Sequence, residues 1–198
     1  MLVLILAQIG PPAPGSQTVT LDDYPELAVR LHHQGAVTVE LTVDSAGELA
    51  KCRTVISSGY PELDQASCDL IRKRAHWKPA TDDAGRPIAF VYRFRSRWML
   101  SGGQPQSLPE TERDVTVGAF PGDMVRPIAT LSFFVASDGK IESCRVADGQ
   151  STGSAVLDKA ACDSMSKSET FPPVLDRYGK PVRFIRVQKV GFTTGPTK

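Results

Sequence analysis

Four cysteines are the residues of this chain with the most definite chemistry: Cys52 and Cys68 stand 16 positions apart, Cys144 and Cys162 stand 18 apart. Neither spacing supplies the close C-x-x-C pair that chelates zinc, and the three histidines, His32, His33 and His76, do not complete such a site. Disulfides are the expected use. Four cysteines permit three pairings, and a loop of about this length, once closed, stabilises by roughly 3 kcal/mol on the chain-entropy model. Such bridges persist in an oxidising compartment such as a periplasm.

The other reactive types assemble into nothing catalytic. His32-His33 precedes a strand, where neighbouring side chains point to opposite faces, so the pair is read as solvated and no metal is assigned. The chain holds no G-x-S-x-G, H-E-x-x-H or glycine-rich phosphate loop. A non-enzymatic protein without a cofactor is expected. The basic run Arg72, Lys73, Arg74, His76 and Lys78 could dock an acidic partner, but cations also collect at a helix C-terminus for dipole reasons.

The elements that carry the cysteines occur twice. Gly47, Cys52, Leu63-Asp64, Cys68, Trp77, Pro79, Gly85 and Pro87 recur in order as Gly139, Cys144, Leu157-Asp158, Cys162, Phe171, Pro173, Gly179 and Pro181. The offset is 92 from Gly47 to Gly139 and 94 from Leu63 to Leu157, so one two-residue insertion accounts for the change. Because both copies preserve the two cysteines at matching places, the pairings expected are Cys52–Cys68 and Cys144–Cys162. A period of this size fixes the domain count before any motif is read.

Within the first copy Val37, Val39, Leu41 and Val43 alternate with Ala36, Thr38, Glu40 and Thr42, a strand with one buried face. Asp44-Ser45-Ala46-Gly47 turns the chain into a return strand of about 48–57. Pro61 starts a helix with Leu63, Ala66, Leu70 and Ile71 on one face, running to about 75. A last strand, Ile88 to Leu100, places Phe90, Tyr92, Phe94 and Trp98 together. The second copy repeats this with Ala129, Leu131, Phe133 and Val135, a return strand of 140–147 and a helix bearing Leu157, Ala160, Ala161 and Met165. The expected fold class is α+β: two repeats of strand-strand-helix-strand, each a helix packed on a small antiparallel three-stranded sheet.

Apolar content of 41%, charged content of 23% and a net charge of +1 are ordinary for a globular chain and give no field to attract nucleic acid. Leu2 to Ala7 is apolar but as a helix reaches only about 9 Å against roughly 30 Å of bilayer hydrocarbon, so no membrane span is expected in this chain. It is read as a shortened signal segment. The expected domains are residues 1–16 (apolar segment and Pro/Gly linker), 17–101, a linker of 102–113, and 114–198.

Tyr24-Pro25, Gly35, Gly47, Ser57-Ser58-Gly59, Leu63-Asp64, Trp77-Lys78-Pro79-Ala80 and Gly85-Arg86-Pro87 together resemble the C-terminal domain of TonB, with a degenerate second copy after about Val115. The resemblance implies a periplasmic protein that binds an extended segment of an outer-membrane transporter, or of another envelope protein, by strand addition. The implied edge is the last strand of the first copy: Ile88, Phe90, Val91, Tyr92, Arg93, Phe94, Arg95 and Arg97. The alternating arginines equally suit blunting an edge against aggregation. Arg186 and Gln188 replace the aromatics Tyr92 and Phe94 in the second copy, whose last strand is expected to serve the interface between repeats. The rival reading is a structural module, a homodimer joined through last strands.

Overall fold

A computed structural model describes residues 19–74, 77–100, 111–125, 127–147 and 149–195. The N-terminal segment 1–16, most of the expected linker and His76 lie outside the described residues. A 3-10 turn, Leu21–Asp23, leads into α1 (Glu26–Arg30). The first unit then runs β1 (Gly35–Val43), β2 (Leu49–Ile56), α2 (Pro61–Arg74), β3 (Ala80–Thr81) and β4 (Pro87–Trp98). After β5 (Arg113–Val117) the second unit runs β6 (Ile128–Val135), β7 (Ile141–Val146), α3 (Ala155–Ser168), β8 (Val174–Leu175), β9 (Pro181–Val182) and β10 (Phe184–Thr194). No described helix is long and apolar enough to cross a membrane.

The motif residues shared by the two units are those the local geometry requires. Gly47 and Gly139 both sit at positive φ, and a Cβ on either would collide with a backbone carbonyl oxygen, that of Trp77 in one unit and Phe171 in the other. The turn glycine is therefore required in both units by the close approach of that backbone. Asp64 accepts from Ser58 N (2.9 Å) and Ser58 Oγ (2.8 Å), and Asp158 accepts likewise from Thr152 N (3.0 Å) and Oγ1 (2.8 Å), tying the loop before each helix to its first turn. Cys52 is bonded to Cys68 and Cys144 to Cys162, with Cα separations of 5.8 and 5.6 Å, so each bridge staples a helix to its return strand.

In one respect the sheet departs from expectation. Two separate three-stranded sheets were expected; instead β2-β1-β4 and β7-β6-β10 join into one, because β4 and β10 pair in parallel, Ala89–Val91 against Phe184–Arg186. Across the paired rows Val43, Phe90, Ile185 and Phe134 share a face, the one that carries α2. Phe133 and Phe184 look the other way, beneath α3. The helices therefore cover opposite faces. Each core borrows from the neighbouring unit: Phe134, Ile185 and Val187 complete the first, Ala89 and Val91 the second.

The junction also overturns the expectation that β1 has one solvated face. All of β1 from Gly35 to Leu41 is buried, Thr38 and Glu40 included. The tyrosine of Tyr24-Pro25 packs edge-on against Trp98 at 5.3 Å and donates to His33 O at 2.9 Å. Trp98 in turn donates to Ser67 Oγ at 2.8 Å, closing the first core between α2 and β4.

Candidate functional site

β4 carries every residue expected at the binding edge. On one side Phe90 to Trp98 pair with β1. On the other, Ala89 to Val91 pair with β10; Pro87 and Ile88, at the start of the strand, pair with β3. From Tyr92 to Trp98 no described strand holds that second side. Ile88, Phe90 and Val91 thus pair with a further strand of the chain, whereas Tyr92, Arg93, Phe94, Arg95 and Arg97 lie on the run that has β1 as its one neighbouring strand among the described residues.

The side chains of this run divide by face. Tyr92 and Phe94 pack on the first core, as the alternation requires. Burial, with the charge of Glu112 added, pushes the Tyr92 hydroxyl above its ordinary pKa. Arg93 turns to the other face and meets Glu40 (3.3 Å) and Glu112 (3.0 Å). Arg95 lines the same seam, and Arg97 is exposed.

Arg93 belongs to a five-residue ionic network that the sequence did not disclose. Glu40 accepts from Arg53 of β2, from Arg93 of β4 and from Arg186 of β10, the last at 2.7 Å. Arg186 also reaches Glu112 at 3.7 Å and stacks its guanidinium over Phe171, 5.2 Å from the ring centre. Burial alone would raise the Glu40 carboxyl, but Arg186 and Arg53 outweigh it and hold the group below the ordinary carboxylate range. Glu112 goes the other way: its desolvation exceeds what Arg93 and Arg186 return, and its pKa is raised. The available signal was a lone acid in the middle of an apolar strand, with arginine replacing an aromatic 146 residues away.

Where β10 leaves β4 to pair with β5 (Val190–Thr194 against Arg113–Val117), a cleft of about 740 Å³ opens, lined among others by Tyr92, Phe94, Glu112 and Gln188. The remaining expected sites are dispersed. His32 is exposed at φ 55°, while His33 pairs through Nδ1 with Glu62 and stacks on Tyr60 at 3.9 Å, a local clasp rather than the solvated pair expected. Of the basic run, Arg74 grips Asp23 through two bonds of 2.9 and 2.5 Å and Arg72 pairs with Asp69. No group of three or more potential metal ligands occurs among the described residues.

Comparison with curated proteins and with solved structures gives no match. The family model described as "Gram-negative bacterial TonB protein C-terminal" matches residues 22–100 and again 128–194, the two units just described and well over half of the chain. The chain therefore belongs to the TonB C-terminal domain family, with the domain present in tandem.

Proposed function

We propose that this protein works in the periplasm as a TonB-like module that binds extended segments of outer-membrane transporters, or of other envelope proteins, by strand pairing. Members of the family are periplasmic interaction domains that engage outer-membrane proteins, which supplies the class of partner. The observation that carries the reading is the second side of β4 from Tyr92 to Trp98, held by no described strand. An extended chain laid there would satisfy those N–H and C=O groups.

The division into units is read as 17–101 and 114–198 around a linker of 102–113. Among the described residues the long run without a second strand belongs to the first unit's last strand, since β10 is flanked by β6 on one side and, over most of its length, by β4 and β5 on the other. The second unit is a fixed neighbour that shapes the first one's edge. Last-strand pairing, which the rival reading placed between two copies, is used here within one chain.

Crosslinking of the purified oxidised protein to peptides from transporter N-termini tests the proposal. Sequence-dependent capture that competes with unlabelled peptide supports it, and equal capture of a scrambled peptide removes it.

A further inference from the structure

The cleft at the seam carries more than an open backbone. Thr38 and Gln188, 6% and 5% exposed, are among the residues lining it, and their buried Oγ1 and Oε1 lack a hydrogen-bond partner among the described residues. Buried polar atoms are rarely left so, and two on one lining mark a surface shaped for something polar. A hydroxyl can donate, and an amide presents its NH₂ as readily as its oxygen once turned over. Both can therefore serve an acceptor.

The charges favour an acidic acceptor. The network around the seam sets Arg53, Arg93 and Arg186 against Glu40 and Glu112, and Lys189 stands exposed on the lining, so among these six residues cations exceed carboxylates by two. Glu112 is the one carboxylate on the described lining, and it is already engaged by Arg93, Arg186 and the backbone N–H of Lys189. The cleft's volume of about 740 Å³ lies inside the roughly 300–1,000 Å³ of ordinary ligand sites. Tyr92 to Trp98, which pair with β1 and have no second strand among the described residues, span some 20 Å beside it at about 3.3 Å per residue.

We infer that the seam between β4 and β10 is the recognition site for an extended peptide bearing an acidic side chain, which pairs with β4 beyond Val91 and lowers its carboxylate toward Thr38, Gln188 and Lys189. This rests on the strand-pairing function proposed above and specifies where it occurs and which partner it selects. Selection arises at the junction of the two repeats, so one domain alone would not supply it.

Fluorescence anisotropy of the full oxidised chain with labelled ten-residue Val/Thr peptides carrying a central Asp, Asn or Lys tests this. The Asp peptide is expected to bind about tenfold tighter than the Asn peptide, a difference of about 1.4 kcal/mol, with the Lys peptide weaker still and the preference fading with salt. Lys189→Glu, an exposed change, should abolish the preference for the Asp peptide while leaving the circular dichroism spectrum unchanged, and a preference that survives it overturns the contact with Lys189. A photo-crosslinker at Gln150, exposed on the cleft, should capture the peptide, whereas one at Lys51 of β2 or Ser143 of β7 should not. Capture only at Lys51 or Ser143 overturns the seam site but leaves strand pairing standing. Equal affinity for the three peptides overturns the acidic preference. Displacement by free glutarate at peptide-like concentrations overturns the peptide as occupant, and no binding of any peptide overturns the proposed function itself.

Discussion

Arg186 on β10 donates through Nη1 to Glu40 on β1 over 2.7 Å, joining side chains 146 residues apart in the chain. β4 lies between those two strands, so the contact locks the second unit onto the first across the strand proposed to bind. It is also the contact whose loss should be felt most.

Arg186→Ala strands Glu40 with less compensation in a site where both side chains are nearly buried. Removing one partner of such a pair costs on the order of 3 kcal/mol. Urea unfolding at pH 7 should show that loss. Combining it with Glu40→Ala should give less than the sum of the two single effects, because the residues share one network. Strict additivity would mean the contact is not formed in solution.

The two buried acids should respond to pH with opposite signs. Glu112 is raised in the folded state, so stability falls as pH climbs from the ordinary carboxylate range through its folded pKa, and stays lower above it. Glu40 is lowered, so its contribution is present above the ordinary range and disappears as pH drops through its folded pKa. Glu112→Gln is therefore expected to be more stable than the parent at pH 7, and Glu40→Gln less stable, both differences shrinking on acidification. Unfolding free energies measured between pH 3 and 8 decide the matter, and the same sign for both variants would refute the assignment.

Replacing Cys52 and Cys68 together by serine should cost roughly 3 kcal/mol, as should replacing Cys144 and Cys162. Each pair spans a short loop inside one unit, with 16 and 18 residues of separation. Thermal unfolding with and without reductant should show the parent, but not a variant lacking all four cysteines, losing stability on reduction.

Two glycines with similar φ should behave differently. Gly59 faces open space, so Gly59→Ala bears only the left-handed backbone cost of about 1 kcal/mol. Gly47→Ala adds a collision with the Trp77 carbonyl and is expected to lose at least twice as much. Parallel denaturant titrations of the two variants check the ranking.

Much of each unit was legible because its signals are local. The alternation of β1, the Asp44–Gly47 turn, the Pro61 start and the repeated cysteines all act within a few dozen residues, and the elements lie within two residues of where the pattern placed them. The junction was not legible. Nothing near Ile88 to Val91 announces that β10 will lie against it, and a charged residue such as Glu40 on the polar side of a strand reads as solvated until a distant arginine covers it. The short elements α1, β5 and β3 escaped for another reason: too few residues to show a period. Arg186 was the partial exception, since its departure from the aromatic pattern already pointed toward contact between repeats.

Neither sulfur bridge crosses from one unit to the other. In an oxidising compartment each half can consequently form its own crosslink without the other, whereas the seam needs both halves in place. A chain halted between the halves should already resist thiol labelling at Cys52 and Cys68. Where the crosslinks sit thus leaves the contact between the halves to non-covalent forces, and the cleft at their seam exists when both halves are joined.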